Sequence, residues 1–152
     1  MAVNYMKRTR DYYRAHGYER DYQWAHFDDV PFAPLEKPLA QCTIGLVTTA
    51  NPMDAPRLRE VLSRTTEPPP EVLFTENRSW DKQATHTDDL DSYCPINRLQ
   101  DLARARRIGA LAPRFHFIPT DYSQRRTREV DAPKILERCR EDEVDAVVLP
   151  AL

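Results

Sequence analysis

The sequence predicts an α/β fold: a small three-layer domain with a mostly parallel sheet of about three to four strands, preceded by a Tyr/Pro-rich N-terminal arm. Three observations predict it. Short apolar, largely β-branched runs recur at Cys42–Thr48, Val72–Phe74, Phe115–Ile118 and Val144–Leu149. Segments with apolar residues at helical spacing lie between them. Tyrosine, proline and charge dominate residues 1–40, so the division expected is an arm at 1–40 and a domain at 41–152.

The elements follow in order. Residues 4–24 carry Tyr5, Tyr12, Tyr13, Tyr18 and Tyr22, then Trp24. A helix is expected to run to about Ala15 and to stop at Gly17. Pro31, Pro34 and Pro38 lack the N–H of a central strand and fix φ, so that stretch is extended. With Phe32 and Leu35 it reads either as a strap on its own core or as a partner-binding arm. Cys42–Thr48 is a buried strand. Asp54 is expected to cap a helix with Pro56 in its first turn and Leu58, Val61 and Leu62 on one face. Val72–Phe74 is expected as a second strand.

Residues 75–94 are polar, aperiodic and longer than an ordinary connection. Pro95 opens a helix with Ile96, Leu99, Leu102 and Ala103 at helical spacing, and Gly109 suits its C′ position. Phe115–Ile118 is a short strand. Asp131 is expected to cap a helix to about Asp142, with Ile135, Leu136 and Cys139 inward. Val144–Leu149 is a last buried strand. An exposed edge on so small a sheet favours a homo-oligomer or a second protein subunit.

Composition narrows the function classes. The chain has 152 residues, 41% hydrophobic and 30% charged, with formal net charge −2. That charge gives no reason to expect nucleic acid or an anionic membrane as partner. Mean hydropathy is −0.69, which points to a small core. No apolar run approaches the roughly 20 residues of a membrane span. The start, Met1 to Arg8, has no apolar stretch of the secretory kind. Three widely spaced cysteines, Cys42, Cys94 and Cys139, form no CxxC pair. They suggest neither a disulfide framework nor a four-cysteine zinc site, and a reducing cytoplasm is expected. With three glycines and no phosphate-binding glycine loop, the usual nucleotide cradles are absent.

Two clusters carry chemical potential. In open α/β sheets, ligands sit beyond the carboxyl ends of the strands, which here present Thr48 and Thr49. The first cluster runs from His86 to Cys94. His86 with Asp88 is a candidate for acid–base catalysis, because imidazole titrates near neutrality and a carboxylate orients it. With His116, the same pair is the candidate ligand set for a divalent metal. The competing reading is a solvated acidic loop capping the next helix. The second cluster runs from Arg114 to Arg126. His116 lies inside a strand, where a histidine is more often a hydrogen-bonded core residue than a ligand. Arg114 and Arg125 offer paired N–H donors for a carboxylate substrate, with Tyr122 beside them among the binding candidates. Surface ion pairing is the alternative for both arginines. The three cysteines read as structural thiols.

Two stretches together resemble a known family. PFAPLEKPLAQCTIGLVTTA is similar to the segment leading into the first strand of selenoprotein B of the glycine, sarcosine, betaine and D-proline reductases. SYCPINRLQDLARARRIGALAPRFHFIPTDYSQRRTREVDAPKILERCREDEVDAVVLPAL is similar to a later stretch of that family. The likeness covers about residues 31–152. The resemblance implies an α/β fold, an oxidoreductase reductively cleaving a C–N bond of a small amino acid, and a pyruvoyl-containing partner subunit. It carries over Thr48, Thr49, His86, Asp88, Arg98 and His116 as pocket positions. In that family a reactive selenocysteine or cysteine follows the strand matching Val144–Leu149. This sequence has no cysteine after Cys139, so a redox centre from a partner chain or a metal is expected. The other expectations are a non-catalytic binding or assembly subunit and a metal-dependent enzyme.

Overall fold

The structure is a computed structural model that describes residues 4–21, 23, 25–57, 59–76, 83, 86–120 and 123–150. Two compact units are present, residues 1–32 and 33–152. Leu58, Tyr22, Trp24 and Tyr122, on which expectations fell, lie outside the described residues, as does most of 77–85.

In the first unit, α1 spans Tyr5–Ala15. The Asn4 side chain caps it by accepting from the Lys7 N–H at 3.1 Å. It ends as the sequence predicts. Gly17 takes φ +84°, and the N–H groups of Gly17 and Tyr18 donate to the carbonyls of Arg14 and Tyr13. Those bonds form a Schellman motif, in which a left-handed residue satisfies the last carbonyls.

The second unit holds β1 (Thr43–Thr48), β2 (Leu62–Thr65), α2 (Ile96–Arg104) and β3 (Ala110–Phe117). After these come α3 (Gln124–Arg126), a π-helical turn at Thr127–Asp131, α4 (Ala132–Glu141) and β4 (Ala146–Val148). The sheet order is β2-β3-β1-β4. β1 runs parallel to β3 and β4, while β2 is antiparallel to β3. The chain is therefore a small α/β domain on a mostly parallel sheet. The parallel connections reverse direction about β1, so the carboxyl ends of β1 and β4 mark the topological switch point.

Alternation along the strands divides the buried residues between two faces. Ile44, Leu46 and Thr48 share one face with Phe115 and Phe117, their neighbours by register. Ile96 and Leu99 of α2 pack there, with Leu73, Leu90, Tyr93 and Cys94. Val47 and His116 lie on the opposite face, and His116 pairs across the sheet with Ser63. Contacts from Arg138 and Asp142 put α4 over that face.

Several expectations are corrected. Asp54 caps no helix. Residues 52–57 form turns, because the Asn51 backbone is paired with Phe74 and its side chain donates to the Ala55 carbonyl. Val61 and Leu62 lead into β2 instead, since so short an apolar spacing fits a strand as well as a helix. Val72–Phe74 makes a single bridge, Asn51 to Phe74, rather than a strand. Gly109 is not the C′ residue of α2. Arg106 is, with φ +56°, and the Arg106 and Arg107 N–H groups close a second Schellman motif on Ala103 and Leu102. Gly109 has another task. A Cβ there would stand 2.7 Å from the Gln41 carbonyl carbon and 2.9 Å from the Cys42 nitrogen and oxygen. Asp131 is buried inside a continuous helical run rather than capping it. Leu136 is exposed, not inward. The last strand is an edge, and Val147, Val148 and Leu149 are exposed.

Candidate functional site

The carboxyl end of β1 is built from small polar residues fixed by the backbone. Thr48 is fully buried. Its hydroxyl donates to the Tyr93 carbonyl at 3.1 Å and accepts from the Ala50 N–H at 3.2 Å. That hydroxyl therefore binds the end of β1 to the segment that enters α2. Beyond it, Asn51 pairs with Phe74 through both backbone bonds, at 3.1 and 2.8 Å. The next residue, Thr75, shares a 2.8 Å hydroxyl contact with Thr87. These contacts tie Thr87, between His86 and Asp88, to the chain just after β1.

At that segment, His86 Nδ1 stands 3.4 Å from an Asp88 carboxylate oxygen, and both side chains are largely exposed. An exposed imidazole beside a carboxylate can accept or donate a proton to a bound molecule. Asp91 lies between this segment and α2. Its Oδ1 accepts from the Asn97 N–H at 3.0 Å, so the first turn of α2 is satisfied from within the chain. Arg98, on the same turn, is exposed and 3.5 Å from Asp101. Its Nε is also 4.0 Å from Asp91, so the guanidinium sits between two carboxylates of its own chain.

Other candidates stand elsewhere. His116 is completely buried on the opposite face, with Nδ1 2.9 Å from Ser63 Oγ. Burial first, then the charges of Arg114 and Arg138, holds its pKa below the ordinary value. Arg114 is committed to α4. Its Nε and one terminal nitrogen donate to Asp142 at 2.9 and 2.8 Å, and the same nitrogen reaches Glu141 at 2.8 Å. Those carboxylates raise its pKa further above an already high value. Arg125 is exposed and pairs with Glu129 one helical turn on, at 3.3 Å. Thr49 follows Thr48 at the strand end, half-buried.

The candidates thus divide. Thr48 and Thr49 end β1, His86 and Asp88 lie on the segment tied to it through Thr87, and Arg98 is in the first turn of α2. His116 and Arg114 face α4, and Tyr122 lies outside the described residues. Among the described residues, no group of three or more His, Cys, Asp or Glu side chains converges as a metal centre requires. The joint use of His86, Asp88 and His116 as ligands is therefore set aside: two are at the surface and the third is under a helix.

The chain matches no protein-family model, no curated protein and no solved structure.

The thiols contribute no accessible nucleophile. Cys42, Cys94 and Cys139 are free and buried. Burial pushes the Cys94 thiol up to about 12, with Asp91 adding to it. A thiolate is the reactive species, so Cys94 is inert at neutral pH. Cys42 Sγ instead donates to the carbonyls of Lys37 and Pro38, at 3.5 and 3.4 Å.

Sequence reasoning missed Asn51 and the Thr75–Thr87 contact, which together attach the histidine segment to the sheet. A polar residue just past a strand end was the available signal, but Asn51 pairs with Phe74, 23 residues on, and Thr75 with Thr87, 12 residues on. No helix among the described residues is long and apolar enough to cross a membrane.

Proposed function

We propose that the chain is an oxidoreductase-like subunit, related to selenoprotein B of the amino-acid reductases. In this reading it holds a small amino-acid-like substrate at the carboxyl end of β1 and takes its redox centre from a partner chain. The observation that supports the reading is the pair of contacts, Asn51 with Phe74 and Thr75 with Thr87, that ties the segment carrying His86 and Asp88 to the residues just after β1. The location agrees with the switch-point rule for parallel sheets. The sequence resemblance over residues 31–152 supports the substrate class.

The roles follow from the chemistry of each group. Thr49 and the backbone after Thr48 receive polar atoms of the substrate. Arg98 pairs with its carboxylate. His86 moves a proton, with Asp88 orienting the ring. The buried thiols support an external redox centre, since none of them is exposed to a substrate.

The test is binding, followed by NMR while glycine, sarcosine, betaine and D-proline are added in turn. Expected is saturable perturbation at Thr48, Thr49, His86 and Arg98 by at least one of them, weakened in His86→Ala and in Arg98→Ala. No perturbation by any of the four, or perturbation confined to residues remote from β1, defeats the reading.

A second reading, a non-catalytic assembly subunit, draws on the exposed Val147, Val148 and Leu149 of the β4 edge. Light scattering on the eluting protein decides it. A monomer at all concentrations tested, and no complex with a candidate partner subunit, removes it.

A further inference from the structure

His116 is a buried titratable group that the proposed site does not use. It is fully buried on the face of the sheet covered by α4. Its Nδ1 lies 2.9 Å from Ser63 Oγ, and that oxygen also accepts from Arg138 Nη1 at 2.9 Å. One oxygen on β2 thereby joins an imidazole on β3 to a guanidinium on α4. The His116 Nε2 is buried with no hydrogen-bond partner among the described residues.

We infer that Ser63, His116 and Arg138 form a proton-operated latch that holds α4 on the sheet while His116 is neutral and loosens it on protonation. With neutral His116, the Ser63 hydroxyl accepts from Arg138 and directs its own hydrogen to Nδ1. Protonation places a hydrogen on both ring nitrogens. The Ser63 oxygen then faces donors from two cations, and its own hydrogen loses its acceptor. A buried charge is also created with no acceptor for Nε2 among the described residues.

The neighbouring charges decide the sign. From β3, Arg114 faces this region; from α4, Arg138, Glu141 and Asp142 do so. Cys139 of α4 is buried nearby and its thiol is raised by burial, so it stays neutral. Val47 of β1, beside His116 in register, is apolar. At the start of the same helical run, before α4, Arg126 Nε lies 3.8 Å from Asp131. The two carboxylates that would favour an imidazolium, Asp142 and Glu141, are already bound by Arg114. The cations therefore prevail, and burial reinforces them. A histidine held neutral in the fold contributes stability above its ordinary titration range. That contribution is lost as pH falls from the ordinary value through the lowered one.

Amide hydrogen exchange with NMR tests the latch. Protection factors, which remove the intrinsic pH dependence of exchange, are measured for α4 and α2 between pH 7.5 and 4.5 alongside the His116 ring titration. Expected is a loss of α4 protection of about tenfold relative to α2, with a midpoint that follows the His116 titration. Arg138→Gln is expected to shrink that loss, and His116→Gln to abolish it. Equal pH responses in α4 and α2, or an α4 response unchanged in Arg138→Gln, overturns the inference. If His116→Gln fails to fold, the wild-type comparison of the two midpoints decides alone: midpoints that differ refute the latch.

Discussion

Arg114 of β3 and Asp142, the residue that ends α4, face each other in a two-pronged ion pair across the helix-covered face of the sheet. The contact joins residues 28 positions apart. Asp142 is only 10% exposed at its side chain, and Glu141 adds a second carboxylate. Removing either member leaves the other short of its partner. Arg114→Met and Asp142→Asn are each expected to lower stability by about 1–2 kcal/mol, with a double-mutant coupling near 1 kcal/mol that weakens in salt. Urea unfolding of the four proteins of the cycle measures it; zero coupling would show the pair to be decorative.

The ends of α2 and α4 need left-handed residues, and the chain supplies Arg106 and Glu143, at φ +56° and +51°. Both helices close with Schellman bonds, Arg107 to Leu102 and Val144 to Cys139. Side chains at these angles are strained where glycine is not. Arg106→Gly is expected to raise stability by about 0.5–1 kcal/mol. Thermal unfolding reads this directly, and a loss of stability would contradict the cap assignment.

Gly109 approaches the backbone of Gln41 and Cys42 more closely than any Cβ tolerates. The Gly109 and Ala110 N–H groups both donate to the Cys42 carbonyl, which aligns β3 with β1. Gly109→Ala is expected to destabilise by about 2 kcal/mol or more, because the atoms in the way are main chain. A neutral effect in the same unfolding assay would mean that the β1–β3 entry is looser than described.

Lys37 bonds Asp145 at 2.9 Å, and the same carboxylate oxygen accepts from the Thr43 N–H at 2.7 Å. The Lys37 bond and then the Thr43 N–H lower the Asp145 pKa below its usual 3.8. A carboxyl lowered in the fold contributes stability in full above its unfolded value, and the contribution fades as pH falls through the folded one. Acid unfolding of Asp145→Asn is therefore expected to show a shallower stability loss below pH about 4 than the parent chain. Identical acid profiles would exclude the linkage.

The buried thiols give a chemical prediction. Cys42, Cys94 and Cys139 are expected to resist a thiol reagent at pH 8 in the native state and to react together on unfolding. Rapid labelling of Cys94 in the folded protein would contradict its burial and its pKa of about 12.

Much of the fold was legible because local patterns and tertiary demand agreed. The β-branched run before Thr48 became the central strand, and the spacing of Ile96 and Leu99 gave the helix that packs on it. Gly17 stopped α1 as glycine does. Where the reading failed, a distant partner decided. Val61 and Leu62 fit a helix or a strand, and pairing of Leu62 with Phe117 settled the choice. Asp131 looked like a cap, but the π-helical turn brought it within 3.8 Å of Arg126, five residues earlier, inside the protein. The candidate site was legible in part. In open α/β sheets ligands sit beyond strand ends, which is why Thr48 and Thr49 were candidates. The period-2 alternation that turned His116 to the other face was also present in the sequence. Which helix covers which face was not, because crossovers are not encoded locally.

The carboxyl end of β1, together with His86, is proposed to bind a small amino-acid-like molecule. Chemical-shift mapping across glycine, sarcosine, betaine and D-proline tests it most directly. The account predicts saturable shifts at Thr49, His86 and Arg98, with Arg114 and Ser63 unmoved. Shifts centred on Arg114 and Ser63, or none at saturating concentrations of all four, would contradict it.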